Sequence, residues 1–365
     1  MYKVVHIVQG KVNIDRPNGV NAVIYGLSTF LVDKVDLIVI GISKGTNPGK
    51  KIRRNKFEVV LFPNTKLALA YFKTLENVGI VHLHSVWQWT NYIFGRFLIR
   101  NSVPYVITLH SGLSPDRVRK SKFIIRKIYH ALFQKFILDE ASFIQALTNE
   151  ESTDIVGWTS NRRVKVISNG VANLESYNYR TRENDKLITL GYLGRFGQEK
   201  NISSLLDALA ILPNELKEDL KIELIGPMNE EYQRLIRKVK FLGFDDLVVF
   251  HGSLFGKEKY NTMKRWSGYI HVAYSDVVSI AVMEALSIGL PAIIARTCHM
   301  SYFFKSNGFI MVEPHAVSIA SGIEHFVNSR ESWPDMSSHA RALALESFNW
   351  ERVGLQLFNE YSKIV

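Results

Sequence analysis

Two acidic residues, Asp276 and Glu284, are separated by seven residues in a segment that changes from strand-like to helix-like. An apolar run before Asp276 is typical of a buried strand, and apolar residues at helical spacing surround Glu284. Asp276 is therefore expected in the turn at the end of a strand, and Glu284 is expected on the helix that follows, on the same side of the site. An anion can bind to the free N–H groups at the start of that helix, which belong to Ser279, Ile280 and Ala281.

Two cations lie in another short segment that leaves a predicted strand. Arg195 and Lys200 follow the apolar run Leu187–Leu193, within the sequence Gly-Arg-Phe-Gly-Gln-Glu-Lys. Two cations in one strand–helix loop can close on a diphosphate. Glycines such as Gly194 let a ligand approach the backbone closely. The loop is therefore predicted to bind a diphosphate.

Histidines stand at the ends of two predicted strands in the first half of the chain. His110 follows Tyr105–Thr108, and His84 follows Val81–Leu83. Parallel α/β sheets bind ligands at the carboxyl ends of their strands, so His110 is a candidate ligand-contacting residue. His84 could line an acceptor site or be an ordinary packed histidine. Trp87 could stack on a sugar or belong to the core.

Short apolar runs alternate with helix patterns through both halves of the chain, which predicts parallel, doubly wound sheets. The polar segment 176–186 has no core pattern and is interpreted as a linker. We expect two Rossmann-like domains facing a cleft, at 1–175 and 187–345, and a last helix at 346–365. The predicted strands are Val4–Val8, Leu37–Ile40, Glu58–Leu61, Val81–Leu83, Tyr105–Thr108, Phe143–Ala146, Val164–Ile167, Leu187–Leu193, Lys221–Ile225, Val248–Phe250, Tyr269–Val272 and Pro291–Ile294.

Composition narrows the class of protein and its partners. The 365 residues are 47% hydrophobic and 22% charged, which is ordinary for a globular enzyme of two domains. A net charge of +11 favours nucleic acid, anionic lipid headgroups or phosphorylated small molecules. The single cysteine, Cys298, excludes a disulfide framework and cysteine-based zinc sites. Neither a signal peptide nor a membrane span is expected, and no dinucleotide fingerprint, P-loop or Asp-x-Asp sequence occurs.

In their order along the chain, these segments resemble the motifs of family 4 glycosyltransferases of the GT-B fold. Asp276 and Glu284 are similar to the Glu-x7-Glu signature, with Asp in the first position. The segment from Arg195 to Lys200 is similar to the family's Gly-Arg…Lys motif. Pro17–Val20 resembles its Gly-Gly-Val loop, with Asn in place of the first glycine. The Asn-Gly-Val sequence at Asn169 matches the element that leaves the first sheet.

The resemblance implies a GT-B architecture whose first domain binds an acceptor and whose second domain binds a nucleotide sugar. The last helix would cross back to the first domain. The implied activity is retaining transfer of a hexose or hexosamine from a UDP- or GDP-sugar to a hydroxyl of a glycan or lipid-linked glycan. Synthesis of cell-surface polysaccharide or lipopolysaccharide would use such a reaction. Neither a metal nor a cofactor is expected, because Arg and Lys would bind the diphosphate.

The resemblance also implies a role for each residue. Glu284 would accept hydrogen bonds from ribose hydroxyls, and Asp276 would hold donor-sugar hydroxyls. Arg195 and Lys200 would stabilise the leaving diphosphate, and His110 would contact the donor sugar near the reaction centre. The acceptor hydroxyl would attack on the leaving-group face and give its proton to a phosphate oxygen. Further donor contacts are implied for Asn18, Gly19, Gly194, Gly226, Pro227, Ser253, Leu254, Ser279, Ile280 and Ala281, and acceptor contacts for His84 and Trp87.

Other interpretations remain open. The helix at 117–136 mixes cations with apolar residues, and it could lie on an anionic membrane or be a surface helix with one face in the core. The protein is accordingly expected in the cytoplasm, with the inner face of the plasma membrane as an alternative place. A GT-B nucleotide-sugar epimerase would use the same cleft. A basic nucleic-acid-binding protein would bind RNA or DNA with strong salt dependence, but it leaves the ordered motifs unexplained, so no nucleic acid partner is expected.

Overall fold

The computed structural model describes residues 2–10, 12, 19–54, 56–110, 112–113, 123–171, 186–277, 279–298, 300 and 308–365. The chain forms two compact units. Unit 1 contains Met1–Gly170 and Trp350–Val365, and unit 2 contains Val171–Asn349. The expected linker lies outside the described residues except for Lys186, and so does the loop residue Asn18.

Unit 1 is built on one sheet of eight strands. They are β1 (Lys3–Gln9), β2 (Asp36–Ile42), β3 (Lys50–Arg54), β4 (Phe57–Phe62), β5 (Val78–His84), β6 (Tyr105–Thr108), β7 (Phe143–Ala146) and β8 (Val164–Val166). Their order in the sheet is β3-β4-β2-β1-β5-β6-β7-β8. The chain first extends the sheet on one side of β1 and then on the other, so the winding direction reverses between β1 and β5.

Helices cover both faces of this sheet. They are α1 (Gly19–Leu31), α2 (Thr65–Phe72), α3 (Trp89–Arg100), α4 (Phe123–Tyr129), a π turn (His130–Gln134), α5 (Lys135–Asp139), α6 (Asn149–Val156) and α14 (Trp350–Ser362). Alternate residues of β1 point to opposite faces, so Val5 and Ile7 join one buried cluster while Val4 joins another. Among the described residues, no helix is both long and apolar enough to cross a membrane.

Unit 2 repeats the plan with six parallel strands. They are β9 (Ile188–Leu193), β10 (Leu220–Ile225), β11 (Val248–Gly252), β12 (Gly268–His271), β13 (Ala292–Ala295) and β14 (Phe309–Val312), in the order β11-β10-β9-β12-β13-β14. Its helices are α7 (Ile202–Ile211), α8 (Asn214–Glu218), α9 (Glu230–Leu242), α10 (Gly256–Met263), α11 (Ile280–Ser287), α12 (Ala316–Asn328) and α13 (Trp333–Ser347). Winding reverses between β9 and β12.

One strand departs from the expected parallel pattern. β3 pairs antiparallel with β4 at the edge of the first sheet. Its sequence, Lys-Lys-Ile-Arg-Arg, has too few apolar residues to be recognised as a strand. An edge strand needs little burial, and its charges discourage pairing with another chain.

The terminal helix α14 packs against α1 within unit 1. A Cβ atom on Gly26 would lie 2.2 Å from the Trp350 ring, and one on Gly170 would lie 2.4 Å from it. Farther along, a Cβ on Gly354 would lie 2.4 Å from the Phe30 ring. These glycines admit aromatic rings that any larger residue would displace, so the contact depends on their missing side chains.

Gly26→Ala should therefore destabilise unit 1, although alanine is normally the better helix former. Displacing the Trp350 ring should lower the free energy of unfolding by about 1–3 kcal/mol, which exceeds the gain of about 1 kcal/mol in helix propensity. Gly19→Ala, in the same helix with no atom of the described residues within 4 Å of the new Cβ, is the matched control. Urea denaturation followed by tryptophan fluorescence measures both variants. A Gly26→Ala midpoint at or above that of the control would contradict this packing.

Candidate active site

The reversal of winding in unit 2 brings two predicted loops together. Arg195 and Lys200 follow β9, and Asp276 follows β12, the strand next to it. Loops leave in opposite directions at such a point, so a crevice opens at the carboxyl edge of the sheet, where α/β proteins bind ligands. Asn201 ties the loops in place, because its side-chain amide donates to the carbonyls of Val272 and Pro314.

An ion pair joins the two loops. The Nζ atom of Lys200 lies 2.5 Å from Oδ2 of Asp276, and both side chains are largely buried. Burial alone would raise the pKa of Asp276, but the charge of Lys200 and a hydrogen bond from His271 outweigh it and hold the pKa well below its ordinary range. Asp276 is therefore ionised at neutral pH, and the pair is a fixed charge arrangement at the sheet edge.

His271 was not predicted from the sequence, yet it is the second partner of Asp276. Its Nε2 lies 2.9 Å from Oδ2 of Asp276, and its ring is nearly parallel to the neighbouring rings of Tyr192 and Tyr269. Burial lowers the pKa of His271 despite the neighbouring carboxylate. The contact is thus a hydrogen bond from a neutral imidazole. His271 ends a strand, as His84 does, and that position was the signal that could have identified it.

Arg195 is positioned differently from Lys200. Its side chain is 71% exposed, and its guanidinium lies 2.7 Å from Oε1 of Glu199, four residues later. An exposed ion pair of this kind contributes about 0–1 kcal/mol, so a ligand can draw Arg195 away from Glu199 at little cost. The loop therefore combines one fixed cation with one adaptable cation.

Glu284 lies on α11 and faces α10. Both of its carboxylate oxygens lie 2.8 Å from Nζ of Lys259, and Oε1 also accepts from the hydroxyl of Tyr260 at 2.9 Å. Neither Lys259 nor Tyr260 was predicted. A lysine and a tyrosine in a polar surface helix carry no sequence signal, because their role appears only when α10 and α11 pack.

Three glycines line the carboxyl edge of the second sheet. The N–H of Gly194 donates to the carbonyl of Ile225, and the N–H of Gly226 donates to the carbonyl of Gly252. A Cβ on Gly226 would lie 2.3 Å from the carbonyl oxygen of Gly194, so only glycine fits there. Gly252 has a φ of 73°, in the left-handed region that favours glycine.

The other predicted donor contacts of unit 2 lie beside these elements. Pro227 is exposed two residues after β10, Ser253 is exposed directly after β11, and Leu254 is half-buried. Ser279 is the N-cap residue of α11 and makes no side-chain capping bond. The first turn of α11, which contains Ile280 and Ala281, thus lacks the side-chain cap that many helices have.

In unit 1 the predicted histidines touch each other. His84 ends β5, and its Nδ1 lies 3.2 Å from Nε2 of His110, which follows β6 with a φ of 49°. Trp87 is held inward, since its indole N–H donates to the carbonyl of Gly112 at 2.7 Å. Gly19 begins α1 and is exposed.

Three buried histidines have the residue type and spacing that a metal ion would need. One ring nitrogen from each of His6, His82 and His84 lies within 4.8 Å of the others. Five of their six ring nitrogens already have hydrogen-bond partners in the protein, and Nε2 of His6 is the exception. A metal ion would have to displace these bonds.

Comparison with known proteins identifies the family. A family model described as "Glycosyltransferase Family 4" matches residues 17–172, and one described as "Glycosyl transferases group 1" matches residues 175–343. The chain belongs to the group 1, family 4 glycosyltransferases. Sulfoquinovosyl transferase of Arabidopsis thaliana is 23% identical over 291 residues, which cover 73% of this chain. The chain spans only 54–61% of the length of the curated relatives it matches.

Solved structures show that this family 4 chain has the GT-B fold. Sucrose-phosphate synthase of Thermosynechococcus elongatus superposes with a TM-score of 0.84 at 16% identity and covers 100% of this chain and 99% of its own. HepE of Anabaena, solved in complex with UDP, superposes with a TM-score of 0.80 at 17% identity, covering 99% and 100%. HepE has also been solved with UDP-glucose, and that structure has a TM-score of 0.79 at 17% identity, covering 100% of both chains. The predicted architecture of two parallel-sheet α/β domains is confirmed.

Asp276→Asn should destabilise this GT-B chain in a pH-dependent way. Removing the charge that compensates Lys200 should cost about 3 kcal/mol at pH 7. Because folding lowers the pKa of Asp276, its ionised form contributes stability above the unfolded pKa of about 4, and this contribution is lost as the pH falls further. Urea denaturation should show a constant difference in the free energy of unfolding between wild type and variant from pH 7 to about 5, and a smaller difference near pH 3.

Glu324→Gln is the control, because Glu324 is an exposed carboxylate on α12 of the same unit. The free energy of unfolding of Glu324→Gln should equal that of wild type at every pH. If the difference in the free energy of unfolding between wild type and Asp276→Asn stays constant down to pH 3, Asp276 is not held as an ion in the folded chain.

Proposed function

We propose that this chain is a retaining glycosyltransferase. It moves a hexose or hexosamine from a UDP- or GDP-sugar to a hydroxyl of a glycan or lipid-linked glycan. The observation that carries the proposal is the Lys200–Asp276 pair at the reversal of the second sheet, in the loops that also hold Arg195 and lead into α11. The UDP and UDP-glucose held by the similar HepE structures support a nucleotide-sugar donor.

The donor diphosphate binds to Arg195 and Lys200. An ammonium group has three N–H donors, so Lys200 can keep Asp276 and still donate to a phosphate oxygen. Arg195 leaves Glu199 and closes on the diphosphate with its planar fork. Gly194 and Gly226 let the nucleotide approach the sheet edge, and the two cations offset the charge that develops as the diphosphate departs. No metal is needed in this scheme.

Glu284 binds the ribose hydroxyls. An ionised carboxylate has about four acceptor positions, and Lys259 and Tyr260 occupy three of them. One position therefore remains for a ribose hydroxyl while both neighbours hold the carboxylate in place. The base contacts the backbone that follows β10 and β11.

Asp276 has a narrower role than the resemblance implies. Its Oδ2 accepts from both Lys200 and His271, which fills that oxygen, while Oδ1 accepts from the N–H of Val277. Only Oδ1 keeps an acceptor position for a sugar hydroxyl. The N–H groups at the start of α11 supply further contacts to the sugar or phosphate. The acceptor attacks on the leaving-group face and a phosphate oxygen takes its proton, so the configuration is retained without a protein nucleophile.

Nucleotide binding tests this function directly. The midpoint temperature of thermal unfolding should rise when UDP, GDP or their sugars are added to the purified protein. At a ligand concentration 100 times the dissociation constant, the stabilisation should be about 2.7 kcal/mol. Arg195→Ala and Glu284→Gln should each weaken this stabilisation, because each removes a contact to the nucleotide.

Arg234→Ala is the matched control for Arg195→Ala. Arg234 is also an exposed arginine with a carboxylate partner one helical turn away, Glu231, but it lies on α9. The control should respond to nucleotides as wild type does. Absence of any shift across UDP, GDP, ADP and their sugars, together with tight RNA binding, would contradict the transferase function.

We also propose that α4 to α5 lies on an anionic membrane, where lipid-linked acceptors are found. Large apolar side chains on this segment are exposed: Ile124, Ile125, Ile128, Leu132 and Phe136. Their main spacing of four residues would drift around an ordinary α-helix of about 3.6 residues per turn. The π turn at His130–Gln134 takes more residues per turn and keeps the side chains together. Arg126 and Lys127 lie in the same segment and suit anionic headgroups.

Vesicle binding tests this surface. The protein should sediment with phosphatidylglycerol vesicles and not with phosphatidylcholine vesicles. A double variant, Ile124→Ser with Leu132→Ser, should bind these vesicles at least about tenfold more weakly than wild type. Each substitution removes apolar area that the membrane would bury. Val317→Ser removes an equally exposed apolar side chain from unit 2 and should bind as wild type does. Equal binding of the double variant and wild type would exclude this segment as the membrane contact.

A further inference from the structure

Three histidines of unit 1 form a hydrogen-bonded row, here called the histidine file. Nδ1 of His6 lies 3.1 Å from Nε2 of His84, and Nδ1 of His84 lies 3.2 Å from Nε2 of His110. These residues lie on β1, at the end of β5 and two residues after β6, and the three strands are neighbours in the sheet. The file therefore runs from the buried sheet to its carboxyl edge.

The hydrogen bonds of the file must all point the same way. Burial lowers the pKa of His6 to about 3 and lowers the pKa of His84 well below its ordinary value. Both rings are therefore neutral, and a neutral imidazole has one N–H and one lone pair. Because both nitrogens of His84 are engaged, it donates to one neighbour and accepts from the other. The file has only two directions available.

The buried end selects the direction. Nε2 of His6 is buried and has no hydrogen-bond partner. If the bonds pointed from His110 toward His6, this atom would be an unpaired N–H. If they point from His6 toward His110, it is an unpaired lone pair. Buried backbone N–H groups without a partner are rarer in proteins than carbonyls that lack one, and by the same order of cost the second direction is favoured for the imidazoles.

We infer that His6 and His84 are positioning residues that fix His110 in the tautomer with its proton on Nδ1. The inference rests on the proposed function and on the donor-sugar contact that the family resemblance implies for His110. His110 then meets the donor as a hydrogen-bond donor, which suits a hydroxyl or phosphate oxygen. A proton added to Nε2 of His110 would reverse both bonds and leave the buried N–H on His6.

His82 lies beside the file and provides an internal contrast. The amide N–H of Gln145 donates to the carbonyl of Ile167, so its Oε1 accepts from the hydroxyl of Thr108. Thr108 must then accept from Nε2 of His82, at 2.6 Å, and Nδ1 of His82 accepts from Tyr361. His82 is therefore expected to carry its proton on Nε2, opposite to the three residues of the file.

Nitrogen NMR of the full chain, labelled with ¹⁵N at the histidine rings, tests the inference. Long-range ¹H–¹⁵N spectra distinguish a protonated ring nitrogen from an unprotonated one, and single His→Gln variants assign the signals. Wild type should show Nδ1 protonated in His6, His84 and His110, and Nε2 protonated in His82. His6→Leu should remove the Nδ1–H preference of His110 and weaken donor binding about tenfold, the value of one lost hydrogen bond. His6→Asn should preserve the His110 tautomer and donor binding, because the asparagine amide N–H takes the place of Nδ1–H.

Three results would overturn the inference. They are a proton on Nε2 of His110 in wild type, an unchanged His110 tautomer in His6→Leu, and stoichiometric zinc that is lost in His6→Leu. The wild-type spectrum decides the first even if a variant fails to fold. Failure of the proposed function is a separate result, since donor binding would then be absent in wild type while the tautomers stay as described.

Discussion

The ionised carboxylate of Asp276 is the constraint on which the candidate site of unit 2 depends. A buried charge is costly unless it is paired and hydrogen-bonded, and Asp276 satisfies that requirement with Lys200 and His271. These partners come from the loop after β9 and from the end of β12. One carboxylate therefore fixes the separation of two loops that leave the sheet in opposite directions, and it does so beside the start of α11.

Both units use the edge where the winding of a parallel sheet reverses, but they organise it with different chemistry. Unit 2 places charges and glycines there, which suits a diphosphate and a nucleotide that lie against the backbone. Unit 1 places neutral histidines there, held by burial and by one another. A network of neutral imidazoles orients donors and acceptors without adding a charge, whereas an ion pair supplies a field. On the proposed mechanism, the field of the ion pair in unit 2 suits the nucleoside diphosphate that departs from the sugar.

Sequence reasoning recovered the parts of this molecule that depend on local pattern. Apolar runs located β6 and β7 to the residue, and the strand–helix alternation predicted both parallel sheets. The edge strand β3 was missed because its charged residues bury little surface. Lys259 and Tyr260 were missed for another reason: their partner Glu284 lies on a separate helix, so no single segment carries the signal. His271 did carry a signal, its position at the end of a strand, but that signal was not used. The pairing of Asp276 with Lys200, 76 residues away, was not predicted, because it cannot be seen along the chain.

The substitution of Asp for Glu in the family signature is best understood together with His271. Asp is one methylene shorter than Glu, so its carboxylate stays close to the end of β12, where it reaches a histidine of the same strand and the lysine of the neighbouring loop. Asp276 and His271 are thus a matched pair. On the proposed function, this pairing occupies Oδ2, so only Oδ1 of Asp276 and the backbone N–H groups at the start of α11 remain to contact the donor sugar.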